Sequence, residues 1–340
     1  MARRLSDQQR RRIAGQQQAR REKLREQASE NAIASGQLGN EQQALVVAHY
    51  GRNVEVELPD RSRHRCHLRA NAEAIVTGDQ VVVQLPESGD AVGVVSALLE
   101  RGSLLIRPDI RGKLRPVAAN IDWMLITIAP RPEPFPFLID RYLVAAELFG
   151  IRAAILLNKT DLLAGLDQAE QDMLAALIDR YRQIGYPVFE LSSHLQHGLG
   201  DICAEIADST AVVVGQSGVG KSSLLKALLP GEEIAVGELS EGVDKGRHTT
   251  TTAKLYHIKT GGRLIDSPGI REFTLPPLAP AELAHYFIDL APHTNNCHFR
   301  DCQHQSEPNC GLKLAEQQGL VLPERIKSYR HILQTLSLED

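Results

Sequence analysis

The stretch "STAVVVGQSGVGKSSLLKALL" limits what this chain can fold into more than any other. An apolar, β-branched run leads without a break into Gly215-Gln216-Ser217-Gly218-Val219-Gly220-Lys221-Ser222, and "KSSLLKALL", with Ser223 in its first turn, reads as the helix leaving it. This is the full G-x-x-x-x-G-K-[ST] pattern, with the preceding strand and following helix that the motif demands. Its glycines let backbone N–H groups close on phosphate oxygens, and the helix dipole adds partial positive charge there. Lys221 is placed to reach the β- and γ-phosphates and the Ser222 hydroxyl to ligate Mg2+. A strand apolar on both faces belongs in a covered parallel sheet, so the surrounding chain must be α/β.

The loop identifies a nucleoside triphosphate without saying which one. Upstream of it, the apolar strand in "ILLNKTDLL" ends in Asn158-Lys159-Thr160-Asp161. The Asp161 carboxylate can accept from guanine N1–H and N2–H2 together, donors that adenine does not offer. Asn158 can support the loop and the base edge, and the Lys159 stem can cover the ring plane. A site built on such bonds rejects the wrong partner by factors of roughly 10⁴. The same residue types also make ordinary surface turns; the buried strand before them and the phosphate loop after them favour the guanine reading. Leu191-Ser192-Ser193, at the end of the next strand, has the form of a loop backing the base. In "DSPG", Asp266 suits a water-mediated contact to Mg2+ and the Gly269 N–H a contact to the γ-phosphate. In "GRHTTTTAK", one of Thr249, Thr250, Thr251 and Thr252 can complete the metal shell. The parts therefore run base, base, phosphate, switch I, switch II. Such an order describes a circularly permuted GTPase, a rearrangement that folds tolerate when the original termini lie close together.

The 340 residues leave room for two or three domains, and 43% hydrophobic with 24% charged residues describe a soluble globular protein. No apolar run approaches the roughly eighteen residues of a membrane span. The start, "MARRLSDQQRRR", has no apolar h-region, and it is poor in the serine of an organelle transit peptide, so a cytoplasmic protein without membrane association is expected. Residues 1–27 hold nine basic against three acidic side chains, so the net charge of −4 conceals +6 in this arm and −10 elsewhere. With so few apolar residues, 1–40 is expected to be a basic, disordered arm, either a solubilising tail or a nucleic-acid binder acting through counterion release.

Residues 41–112 carry five or so short β-branched runs separated by turn signals, the pattern of a small β-barrel, most simply an OB-fold. Its link "RSRHRCHLR" presents Arg61, Arg63, Arg65 and Arg69 as either a charged edge strand or an RNA-facing surface. Residues 113–276 make the GTPase domain. There "IDWMLITIA" and "RAAILL" read as buried strands, "FLIDRYLVAAELFG" and "DQAEQDMLAALIDRYRQIG" as helices, and "AKLYHIKTGGRLIDSPG" as a hairpin turning at Thr260-Gly261-Gly262. Residues 277–340 make a mainly helical zinc-binding domain. Cys297, Cys302, His304 and Cys310 are spaced C-x4-C-x-H-x5-C, three thiolates and one imidazole for a closed structural Zn2+ site. A disulfide is the competing use of these cysteines, disfavoured in a cytosolic chain. His293 and His298 lie nearby as spare candidates, and Cys66 and Cys203 read as ordinary buried thiols. A helix from about Pro323 should carry Ile326, Tyr329, Ile332, Leu333 and Leu336 on one face.

Taken with "NIDWMLI", "LIDRYLVAAE", "NKTDLL", "GQSGVGKSSL", "GRHTTTT", "DSPGIREF" and the terminal Cys/His cluster, the chain resembles the ribosome small-subunit-dependent GTPase A family of bacterial assembly factors over nearly its whole length. The resemblance implies a GTPase that hydrolyses GTP to GDP and phosphate. It also implies stimulation by the 30S ribosomal subunit, contact with 16S rRNA and action late in the maturation of that subunit; a monomer is expected. Ras-type GTPases place a water-orienting Gln after the D-x-x-G glycine. Here Ile270 stands in that place, so slow intrinsic hydrolysis is expected. His248, just before the Thr run, is the candidate water-orienting residue, since imidazole titrates in the right range. The resemblance supports that role, against the alternative of an exposed loop histidine. A nucleotide-gated rRNA-binding scaffold with incidental turnover is the competing function. A P-loop kinase would have no use for Asn158–Asp161.

Overall fold

Strict alternation builds the first part of the structure. In β2 (Asn53–Glu57) and β4 (Gln80–Pro86), every second residue turns inward, burying Val54, Val56, Val81 and Val83. Together with β1 (Leu38–Tyr50), β3 (Arg63–His67) and β5 (Gly93–Leu98) they form a barrel. β1 pairs with both β2 and β4, β2 with β3, β4 with β5, and the circuit closes through the one parallel pair, β3 with β5. This is the OB-fold order, around a core that includes Ala44, Cys66, Ile75 and Val95. Burial pushes the Cys66 thiol up to about 12, as expected for an inert core cysteine. Asp79, fully buried, is held by Arg101 through Nε–Oδ1 at 2.7 Å and Nη2–Oδ2 at 2.8 Å, and it also accepts from the Val76 N–H.

The computed structural model describes residues 38–69, 74–86, 92–109, 111–232, 253–267, 275–305 and 307–336. They fall into two compact units divided between Arg101 and Gly102. That division puts the hairpin of β6 (Leu104–Pro108) and β7 (Leu114–Ala119) in the second unit, whereas the boundary expected at residue 112 falls between its two strands. Most of the basic arm, and His248, Thr249–Thr252 and Gly269, lie outside the described residues.

The second unit continues with β8 (Trp123–Ile128), α1 (Pro136–Leu148), β9 (Arg152–Leu157), a 3-10 turn (Thr160–Gly165), α2 (Gln168–Ile184) and β10 (Val188–Glu190). Then come α3 (Leu199–Glu205), β11 (Thr210–Gly215), α4 (Lys221–Leu228), β12 (Lys254–His257) and β13 (Arg263–Asp266). β8 and β11 are buried at every position, which explains their unbroken apolar runs. The strand order is β10-β9-β8-β11-β13-β12, parallel except for the β12–β13 hairpin. Helix α2 starts where Asp167 accepts from the Glu170 N–H while Glu170 accepts from the Asp167 N–H, and it stops at Gly185. Trp123, Leu125, Leu156, Val213, Leu224, Leu225 and Leu228 knit sheet and helices into one core. Cys203, expected to be buried, is only half-buried on α3, packed against that core from its rim.

Short helices α5 (Pro280–Leu283) and α6 (Ala291–Thr294) lead to α7 (Gly311–Gln317) and α8 (Pro323–Leu336). Helix α8 buries Ile326, Tyr329, Ile332 and Leu333, and also Arg325, which the apolar pattern does not suggest. Arg325 grips Asp289 with two bonds of 2.9 and 2.8 Å, pairs with Asp140 of α1, and stacks over Phe287. Tyr181 of α2 donates to the same Asp140 at 2.8 Å. Burial pushes the Asp140 carboxyl up, and Arg325 opposes it; burial also works against the Arg325 charge, which the two aspartates outweigh. Removing one partner from such a group leaves an uncompensated buried charge. Arg325→Met should therefore cost about 3–5 kcal/mol in equilibrium unfolding at neutral pH. Without the guanidinium, Asp140 binds a proton in the folded state that the unfolded chain releases, so the variant's stability should fall as pH rises and partly recover in mild acid. A deficit independent of pH would contradict this.

Candidate functional site

Parallel pairing brings the ends of three strands level: Ile128 of β8 is in register with Leu157 of β9, and Thr127 with Gly215 of β11. Glu190 of β10 is likewise level with Leu157, and Asp266 ends β13 on the same side of the sheet. Loops leaving the carboxyl ends of such strands line the crevice where α/β sheets bind ligands. Asn158–Asp161 follow β9, Leu191–Ser193 follow β10, and Gly215–Ser222 follow β11, so the sheet assembles stretches far apart in sequence.

The joint between them is the Asn158 side chain, almost completely buried. Its Nδ2 donates to the Val219 carbonyl of the phosphate loop at 3.0 Å. Its Oδ1 accepts from the Ser193 N–H at 3.0 Å and the Ser193 hydroxyl at 2.8 Å. Gly220 makes this approach possible: its φ is +93°, and a Cβ there would stand 2.5 Å from Asn158 Nδ2. Lys159, itself left-handed at φ 62°, donates from Nζ to the Gly218 carbonyl at 2.6 Å and the Arg131 carbonyl at 3.1 Å. The Ser192 hydroxyl donates to Asp161 Oδ1 and accepts from the Leu195 N–H, which fixes the rotation of the carboxylate. Thr160 contributes its backbone N–H, bonded to the Leu191 carbonyl at 3.2 Å. Lys221 Nζ bonds the Gly215 and Gln216 carbonyls at 2.7 Å each, so the ammonium lies within the loop formed with Ser217. Ser222 and Ser223 stand in the first turn of α4, where unpaired N–H groups and the dipole favour an anion. Of the sequence candidates, His248, the four threonines and Gly269 are not among the described residues.

A second cluster forms where α7 begins. The ligand atoms of Cys297, Cys302, His304 and Cys310 all lie within 4.8 Å of one another, a set that can hold a metal ion. His304 Nδ1 is 3.3 Å from the Cys297 sulfur and 3.5 Å from that of Cys310. The Gly311 N–H donates to Cys297 Sγ at 3.2 Å; a Cβ on Gly311 would strike the His293 carbonyl at 2.3 Å. Burial pushes the Cys302 thiol up to about 12 and the His304 imidazole down. All the cysteines among the described residues are free thiols, and His293 and His298 stay outside the cluster. Tyr329 of α8 donates to the Gln303 carbonyl between two of the ligands at 2.9 Å.

Sequence reasoning passed over the segment before α1. Pro130, Pro132, Pro134 and Pro136 alternate there, and the Arg131 carbonyl reaches Lys159. The alternation was the available signal.

Residues 98–276 match the profile of a family described as RsgA GTPase. A protein of Ectopseudomonas mendocina named "Small ribosomal subunit biogenesis GTPase RsgA" is 49% identical over 96% of this chain and 95% of its own length. A like-named protein of Chromohalobacter salexigens is 50% identical over 91% of this chain and 90% of its own. Among solved structures, YjeQ from Thermotoga maritima aligns with a TM-score of 0.71 at 29% identity, covering 87% of this chain and 99% of that one. YloQ, described as a circularly permuted GTPase, aligns at 0.69 with 29% identity over 88% and 96%.

The buried amide of Asn158 gives a direct test. Asn158→Asp keeps the shape and the acceptor for Ser193 but turns the donor facing Val219 into a second oxygen. The variant should lose about 1–3 kcal/mol of stability for the unsatisfied carbonyl, and its guanine-nucleotide affinity should fall at least tenfold. Unfolding curves and fluorescent GDP titration measure the two effects.

Proposed function

Because the chain belongs to the RsgA GTPase family and is a GTP-hydrolysing enzyme, we propose that it hydrolyses GTP to GDP and phosphate on the 30S ribosomal subunit, as a late factor in that subunit's maturation. The observation that carries the reading is the Asn158 bridge, which makes the base-reading loop and the phosphate loop one site despite their inverted order in the chain. The names of the relatives supply the ribosomal subunit.

In this reading the Asp161 carboxylate, set by Ser192, accepts from the guanine edge, and the Lys159 stem covers the ring. Asn158, Thr160 and Ser193 hold the loop in place. Gly215, Gln216, Ser217, Gly218, Val219 and Gly220 supply backbone donors to the phosphates, and Lys221 leaves its carbonyl partners for the β- and γ-oxygens. Ser222, a threonine of Thr249–Thr252 and, through water, Asp266 would hold Mg2+, which neutralises charge on the transferred phosphoryl group; Ser223 and the Gly269 N–H complete the phosphate contacts. His248 would orient the attacking water.

We assign the Cys297–Cys302–His304–Cys310 cluster to structural Zn2+. Zinc bonds of about 2.3 Å to sulfur and 2.0–2.1 Å to nitrogen put tetrahedral ligands roughly 3.5–3.8 Å apart. The two sulfur–nitrogen distances of 3.3 and 3.5 Å suit such a shell, and the N–H donated to Cys297 suits a thiolate. Domain roles follow as an arm over 1–40, a barrel over 41–112, the GTPase over 113–276 and the zinc domain over 277–340. Arm and barrel would bind 16S rRNA: Arg61, Arg63, Arg65 and Arg69 are exposed, although Glu55 and Glu57 partly neutralise the first two. In this reading the protein works as a monomer in the cytoplasm; no described helix is long and apolar enough to cross a membrane.

Asp161→Asn should weaken GTP binding by roughly a hundredfold or more and gain affinity for xanthosine triphosphate, whose C2 oxygen replaces the amino group. Unchanged GTP binding would reduce Asn158–Asp161 to a turn. His248→Ala should keep GTP and 30S binding but lose most 30S-stimulated turnover, measured with 50S subunits as control. Full stimulation would put the water-orienting group elsewhere. Cys302→Ala should disorder residues 290–320, since structural zinc contributes on the order of 10 kcal/mol in small domains. Metal analysis of protein purified without chelators tests the assignment directly.

A further inference from the structure

Between β8 and α1 the chain runs Ala129-Pro130-Arg131-Pro132-Glu133-Pro134-Phe135-Pro136. Proline at every second position fixes φ near −65° at each and removes the backbone donor, so the segment has little freedom of its own. Its ends are pinned as well. Ile128 accepts from the Asn158 N–H at 2.9 Å where the sheet ends, and at the other end Phe135 packs edge-on against Phe137, which stacks on His331 of α8 at 4.1 Å.

The middle of the segment touches the nucleotide site at two points. The Arg131 carbonyl is the second acceptor of the Lys159 ammonium, and Pro132 lies beside Gly218, where an added Cβ would make ordinary contact with its ring at 3.5 Å. The Arg131 guanidinium points away from these contacts to Glu170 in the first turn of α2, with which it makes an ion pair. Glu170 is already fixed by the capping bonds it shares with Asp167. The pair thus ties the middle of a stiff segment to a rigid helix start. Lysine in the left-handed region persists only where its surroundings hold it, and here one of the two carbonyls holding Lys159 belongs to this segment.

We propose that residues 129–135 form a fixed strap along the guanine-nucleotide site, latched by Arg131 and Glu170, and that these two are positioning residues which hold Lys159 over the base through the Arg131 carbonyl. The proposal rests on the guanine reading of Asn158–Asp161. Opening the latch lets the strap drift, leaves Lys159 with one anchor, and shortens the lifetime of bound nucleotide.

The test is stopped-flow release of methylanthraniloyl-GDP from the full-length protein, with methylanthraniloyl-ADP as control. Arg131→Gln and Glu170→Gln each remove one charge, and Gln at position 170 preserves the capping bond. Each single variant should release the nucleotide about two- to fivefold faster, the range that an exposed pair supports. The double variant should be no faster than the faster single one. In a Lys159→Met background, which keeps the stem without the ammonium, Arg131→Gln should have no further effect, an outcome that a merely structural role would not produce. Wild-type release rates in the single variants, effects that multiply in the double variant, or an undiminished effect in the Lys159→Met background would each overturn the latch. Failure of the wild type to prefer the guanine probe would overturn the guanine reading and the strap with it.

Discussion

The Asn158 side chain makes a functional site out of a permuted chain. It sits at the end of β9, almost without solvent exposure, with its donor committed to the phosphate loop and its acceptor to Ser193. A buried amide bonded through both its nitrogen and its oxygen stabilises this arrangement of the three loops over others, since each lost bond leaves a polar group without water. Gly220 and Lys159 extend the same joint, the first by the absence of a side chain and the second by bonding the Gly218 carbonyl. The order of the motifs along the chain is immaterial once the parallel sheet has aligned the strand ends. Permutation relocates the connections and leaves the contact intact.

A second set of contacts leads from the metal cluster toward that joint. Tyr329 reaches the loop between Cys302 and His304, and Arg325, one turn earlier on α8, joins Asp289 to Asp140 of α1. His331, on the same helix, stacks on Phe137 at the start of α1, where the proline strap ends. Each step is a rigid one: a helix, a buried ion pair, an aromatic stack, a segment of alternating prolines. A buried arginine between two carboxylates is a costly way to join two elements if stability is the sole requirement. Its directional bonds do fix the rotation of α8 against α1, which apolar packing alone would define less sharply.

The first unit solves a different problem with the same economy of charge. Its barrel buries Asp79 and satisfies it with Arg101, while the basic strand β3 lies beside Glu55 and Glu57 of β2. The exposed face is therefore mixed in charge, and a polyanion binding there would have to compete with carboxylates already in place. The excess positive charge of the chain lies in residues 1–27.

Much of this could be read from the residues alone, because the signals are local. Unbroken β-branched runs mark β8, β9 and β11, Asp167 and Glu170 mark the start of α2, and a complete phosphate loop requires its strand and helix. Even Ser192 and Ser193 stand out once Asn158–Asp161 are recognised. The sequence by itself determined which groups exist and which elements carry them: the Gly215–Ser222 loop, the Asn158–Asp161 quartet, the three sulfurs and one imidazole. Tertiary structure decided which of them meet. Arg325 lies on an apolar helix face far along the chain from Asp140, Arg131 is one arginine among many, and Cys203 stops short of burial at the rim of the core. Periodicity reports the neighbours of a residue along its own helix or strand. It says nothing of the partner that another element brings across, because that partner is chosen by the packing of the whole sheet and its helices.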